Sequence, residues 1–117
     1  MKKWFLTKLV FRILVSNETK SQFDIQLRLV QAKNADEAFH LAKQIGFSEE
    51  EVFPSKKKKV EWKFIDVESV TELPELKNGM ELCSMTHEDD SPQEFIQSVK
   101  SKAAFLHLQV ADTFVEF

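Results

Sequence analysis

Two neighbouring stretches of strict two-residue alternation restrict this chain more than any other feature. From Trp4 to Val15 the odd positions are Phe5, Thr7, Leu9, Phe11, Ile13 and Val15, an almost unbroken apolar row. The even positions mix Trp4, Leu6, Val10 and Leu14 with Lys8 and Arg12. Side chains of an extended chain point alternately to opposite faces, so this is a strand with one face in the core and a second face partly covered. After the polar turn Ser16-Asn17-Glu18-Thr19-Lys20-Ser21, Phe23, Ile25, Leu27 and Leu29 alternate with Asp24, Gln26 and Arg28. The pair reads as a β-hairpin.

The period then changes from two to between three and four. Asn34 is a favoured N-cap, and Glu37 follows three residues later in a variant of the capping box. Ala38, Leu41, Ala42 and Ile45 form one helical stripe, and Gly46 is expected to supply the left-handed residue that ends it. Ser48 to Glu51 reads as one further turn before Phe53-Pro54. A third strand follows the lysine run Lys56–Lys59 and extends to about Val70, with Val60, Trp62 and Phe64 on one face and Ile65 and Val67 on the other. Asn78-Gly79 predicts a tight turn into a short fourth strand, Met80–Met85. Ser91-Pro92-Gln93-Glu94 starts a last helix, whose apolar positions run from Phe95 and Ile96 through Val99, Ala103 and Leu106 to Val110. Leu106, Leu108 and Val110 also alternate, so residues 104–117 are open to either a helix or a strand reading, the helix being preferred through about Val110. The order ββαββα implies an α+β fold, an antiparallel sheet of about four strands with helical cover. At 117 residues the chain is expected to be a single domain, 1–117, with 88–117 as a C-terminal extension docking on the sheet.

Several of these segments together resemble a bacterial family known as domain of unknown function 4288. The residues concerned are Trp4-Phe5-Leu6-Thr7-Lys8-Leu9-Val10-Phe11, Ala35-Asp36-Glu37-Ala38 with Ile45-Gly46, Trp62-Lys63-Phe64-Ile65-Asp66-Val67, and Asn78-Gly79-Met80-Glu81-Leu82-Cys83-Ser84. The similarity covers about residues 3–85. Cys83 stands where an aromatic residue is expected, and the chain beyond about residue 87 looks like an addition. The resemblance implies a shared fold and carries no activity.

Composition narrows the chemistry. Sixteen basic and nineteen acidic side chains leave a net charge of −3, which does not favour nucleic acid. No apolar run approaches the roughly 20 residues needed to cross a bilayer, and the basic start Met1-Lys2-Lys3 lacks a signal-peptide continuation. A single cysteine points to a reducing cytoplasm. Cys83 is expected to be a buried structural thiol, because in an extended strand His87 would lie about 13 Å away and no other base is at hand. His87, Glu88, Asp89 and Asp90 match neither a zinc nor an EF-hand spacing, so no metal and no cofactor is expected; negative charge before a helix start suits the helix dipole. His40 and His107 have no evident partner. Lys56–Lys59 reads as a solvated strand edge.

No nucleophile, base and charge stabiliser form a catalytic constellation, and no catalytic residue is assigned. The best site candidates are Lys8, Arg12 and Arg28, read as sharing one face of the first hairpin between Leu6, Val10 and Leu14. Trp4 and Trp62 are added as potential partner anchors, against the simpler reading of snorkelling cations and core tryptophans. The expected function is a small non-catalytic protein-interaction module, an inhibitor-like subtype being compatible with its acidic charge and size. The alternative is a small enzyme or anionic-ligand-binding domain using the first hairpin face. A deep pocket at those residues would favour the latter, a flat apolar patch the former. A homodimer is also expected, the last helix covering the strip of Leu6, Val10 and Leu14 either within one chain or from a second.

Overall fold

The computed structural model describes residues 1–55 and 58–115. It divides into two compact units, Met1–Leu82 and Cys83–Phe117, each described by itself.

The first unit is a four-stranded antiparallel sheet with one helix. β1 (Lys3–Val15) and β2 (Gln22–Ala32) are the hairpin that the alternation predicts, followed by α1 (Ala35–Ser48), β3 (Glu51–Ser55) and β4 (Lys58–Glu72). The spatial order is β2-β1-β4-β3, so the Phe-rich β1 is central and β2 and β3 are the edges. With the last helix, the order ββαββα holds.

The hairpin turn is closed by Asn17 in the left-handed region, φ 70°, a conformation a short polar side chain tolerates. β1 and β2 then pair without interruption from Lys3↔Ala32 to Ile13↔Gln22. The odd residues of β1 face α1. Phe5, Leu9 and Phe11 are buried there with Val30, Ala32, Ala38, Ala42 and Phe64, flanked by Leu41, Ile45, Trp62, Val67 and Val70. Thr7, in the same row, is fully buried, and its hydroxyl donates to the Arg28 carbonyl at 2.8 Å. The alanines of α1 leave the helix close to the sheet. Asn34 caps it as expected, its side chain accepting from the Glu37 N–H at 2.8 Å.

Four local expectations are corrected. Gly46 does not end α1: the helix continues to Ser48, and Gly46 lies inside it, where a Cβ would run into the Phe64 ring. Its role is close approach, not a left-handed turn. Ser48–Glu51 is not one further turn: α1 ends at Ser48 and the chain enters the strand Glu51–Ser55, where Pro54 is tolerated on a sheet edge. In β4 the pairs Val10↔Asp66 and Phe11↔Phe64 leave out Ile65, and Lys8↔Ser69 and Leu9↔Val67 leave out Glu68. Each bulge reverses the alternation, so Val67 joins Phe64 in the core instead of facing away from it. Met80–Met85 is not a strand. The turn at Asn78-Gly79 forms, with Gly79 at φ 84°, but irregular chain follows it.

In the second unit, α2 (Pro92–Val115) carries the helical reading through residues 104–115; 116–117 lie outside the described residues. Phe95, Ile96, Val99, Phe105, Leu106 and Leu108 along it are exposed.

Candidate interaction surface

Residues paired across a ladder share a face, so the β1–β2 register assigns every hairpin side chain. The face away from α1 holds Trp4, Leu6, Lys8, Val10 and Arg12 from β1, opposite Gln31, Leu29, Leu27, Ile25 and Phe23 of β2. The whole apolar row of β2 therefore points away from the helix. Its exposures are 60% for Phe23, 56% for Ile25, 51% for Leu27 and 47% for Leu29, the values of a surface rather than a core. Leu6 is buried between these rows, and Val10 and Leu14 are half-buried. Ile65 and Val52, also exposed, add apolar area elsewhere in the unit.

The five proposed site residues do not come together. Trp4, Lys8 and Arg12 lie on this open face. Arg28 pairs with Thr7 and so lies on the helix side, a correction to the expectation that it joins Lys8 and Arg12. There its guanidinium donates to Gln26 Oε1 at 3.1 and 2.8 Å and sits 3.4 Å from a Glu49 carboxylate oxygen. Trp62 pairs with Ile13 on the helix side too, and its ring lies 6.3 Å from that of Phe11. The reason is parity: positions 8 and 28 are separated by a hairpin whose register sums to 35, so an even residue of β1 always faces an odd residue of β2.

The cations on the open face differ in their company. Lys8 is 3.6 Å from Glu68. Arg12 donates to the Ser21 hydroxyl at 3.0 and 2.8 Å and pairs across the ladder with Lys63. Among the described residues neither Arg12 nor Lys63 makes an ion pair. One end of the apolar strip is thus bordered by two positive charges beside Phe23.

Two grooves lie away from these cations. An open groove of about 450 Å³ runs between α1 and Leu29–Gln31, and a second of about 420 Å³ lies between Glu49, Glu51, Phe53 and Trp62. Neither is lined by Lys8, Arg12 or Arg28. Among the described residues no three His, Cys, Asp or Glu side chains are placed to hold a metal ion, and no helix is long and apolar enough to cross a membrane.

Four further sequence expectations meet the structure here. Cys83 is exposed rather than buried, because the segment that was to bury it is not a strand. His40 does have a partner, Asp36 at 3.6 Å on the same helix. His87 Nε2 is 3.4 Å from Asp89, which also accepts from the Ser91 N–H at 2.8 Å, so this acidic loop is organised around the helix start. Of the lysine run, Lys58 reaches Glu18 at 3.2 Å; Lys56 and Lys57 lie outside the described residues.

The sequence alone shows the β1 half of the open face. The β2 half depends on the register across the turn, which puts Phe23–Leu29 beside Leu6 and Val10, not beside Phe5 and Leu9. In comparison with known proteins, the profile of a family described as "Domain of unknown function (DUF4288)" matches residues 4–84. No curated protein and no solved structure matches the chain.

Proposed function

The chain belongs to the DUF4288 family, whose description assigns no activity, and from the geometry we propose that it is a non-catalytic module that binds another protein through the open face of its β1–β2 hairpin. One observation carries this reading: four large apolar side chains, Phe23, Ile25, Leu27 and Leu29, stand about half exposed in a single row. Contiguous exposed apolar area of this kind usually marks an interface. Arg12 and Lys63 at the Phe23 end define the partner's chemistry. It presents an apolar surface with a carboxylate at the border, where charge complementarity sets orientation and encounter rate. The anionic-ligand alternative has less support, since Lys8, Arg12 and Arg28 are split between two faces and the two grooves described above are lined by other residues.

A photoreactive side chain at position 29, on the face, and one at position 44, on exposed α1, test the reading in the source cell. The expected result is an adduct with a second protein from position 29, absent from position 44 and lost in Ile25→Lys/Leu27→Lys. Equal adducts from both positions, or no adduct to a different protein from position 29, would overturn it.

A further inference from the structure

The two edges of the sheet are unequally protected. β3 is five residues long and contains Pro54, two features that blunt an edge. β2 is eleven residues long, pairs with β1 without a bulge, and contains neither proline nor glycine. An edge of that length and regularity offers a row of unpaired main-chain donors and acceptors.

Which β2 residues offer them follows from the ladder. Leu73 N–H donates to the Trp4 carbonyl at 2.8 Å, and Ser16 N–H donates to the Lys59 carbonyl at 2.9 Å. Even residues of β1 therefore turn their main chain toward β4, and odd ones turn toward β2. Their β2 partners are the even residues Val30, Arg28, Gln26 and Asp24. The odd residues Phe23, Ile25, Leu27 and Leu29 then direct N–H and C=O to the free edge.

We propose that β2 pairs antiparallel with β2 of a second copy of this chain, about a two-fold axis through Gln26, to join two four-stranded sheets into one. Outward-facing odd residues must meet outward-facing odd residues, which restricts the register to shifts of two. Charge selects among these. Centred on Gln26, Asp24 lies opposite the partner's Arg28, and Arg28 opposite the partner's Asp24. Moving the centre to residue 24 or 28 sets like charges against each other, and centring on 25 or 27 leaves Asp24 facing Gln26 or Val30 of the partner subunit. Only the Gln26 centre sets both Asp24 and Arg28 against opposite charges, and it does so in non-hydrogen-bonded pairs, where side chains are closest. On the other face Phe23 meets the partner's Leu29 and Ile25 meets the partner's Leu27. The two apolar rows then adjoin. The pairing forms about eight main-chain hydrogen bonds and is self-complementary, as a two-fold interface requires. It uses the edge of β2 rather than its face, so it goes beyond the proposed function and stands or falls separately from it.

The full-length chain is tested in two ways. In a Cys83→Ala background, Gln26→Cys places two thiols on the axis. Directly opposed non-hydrogen-bonded residues have Cα atoms about 4.5 Å apart, within the range a disulfide spans. Mild oxidation is expected to give a disulfide-linked dimer from Gln26→Cys and none from Gln44→Cys. Sedimentation equilibrium then reads the charges. Asp24→Arg and Arg28→Asp should each weaken the dimer about tenfold or more, since each creates two like-charge oppositions. Asp24→Arg/Arg28→Asp should recover most of that loss. A wild-type chain that stays monomeric at high concentration, equal cross-linking from residues 26 and 44, or a double variant no better than the singles would overturn the pairing. Loss of the position-29 adduct alone would overturn only the proposed function.

Discussion

Substituting Gly46 by alanine pits two effects of opposite sign against each other in one residue. Inside a helix, replacing glycine by alanine ordinarily stabilises by about 1 kcal/mol. Here the added methyl group would occupy space already filled by Cδ1, Cε1 and Cζ of Phe64. That ring cannot easily give way. It is buried, its centroid is 5.5 Å from Phe11 and 5.0 Å from Phe47, and it belongs to the cluster with Leu9 and Ala42. Forcing extra carbon into a packed site costs about 1–3 kcal/mol, and overlap with three atoms of a held ring puts this position in the upper part of that range, about 2–3 kcal/mol. The steric term wins, and the net loss is about 1–2 kcal/mol after the propensity gain. At about 4–8 °C per kcal/mol for a unit of this size, the melting temperature should fall by roughly 5–15 °C. Urea denaturation of the wild type, Gly46→Ala and Gly46→Ala/Phe64→Leu measures the effect, with the double variant recovering part of the loss. A single variant as stable as the wild type, or more stable by the propensity increment, would show that α1 does not approach the sheet at Gly46.

Glu50 makes a second test of the sheet. Its carboxylate accepts from the Phe64 N–H at 2.9 Å, just beyond the last β3–β4 pair, Glu51↔Trp62. Glu50→Ala should cost about 1–3 kcal/mol by leaving that partly buried donor unpaired, whereas Glu50→Gln should retain most of the stability; equal losses would contradict the assignment. Cys83 should react with a thiol reagent in the folded chain as fast as it does in urea, because it is exposed. Labelling that appears only on unfolding would mean that the thiol is covered.

Where the sequence was legible, one local signal was enough. The hairpin follows from alternation on both sides of a polar turn, and α1 from its asparagine cap and the Ala38–Ala42 stripe. β3 was hidden because Glu49-Glu50-Glu51 resembles a helical turn and Pro54 argues against a central strand, while nothing local announces an edge. The two bulges in β4 depend on how the strand meets β1, so Val67 could not be assigned from its own neighbours. Gly46 shows the same limit: its cause is an aromatic ring eighteen positions away, and the residue next to a helix end looks like a terminator. For the candidate surface, alternation showed that β2 has an apolar side but not which side. The register decided it, burying Val30 and Ala32 beside Ala38 and turning Phe23–Leu29 outward. The same parity separated Arg28 from Lys8 and Arg12, which residue type and spacing alone had grouped together.

The apolar row of β2 is a surface and not a core. The direct measurement is the unfolding free energy of Ile25→Lys/Leu27→Lys, taken at a concentration low enough that wild type and variant are both monomeric. On the open face, with both side chains about half exposed, the two lysines extend into water, and the loss should stay at about 1 kcal/mol, the scale of strand preference and exposed packing. Facing α1, the same pair would place two unpaired ammonium groups in the core and cost several kcal/mol, enough to unfold the chain. A cooperative transition within about 1 kcal/mol of the wild type is the predicted result; an unfolded or molten variant would contradict the account.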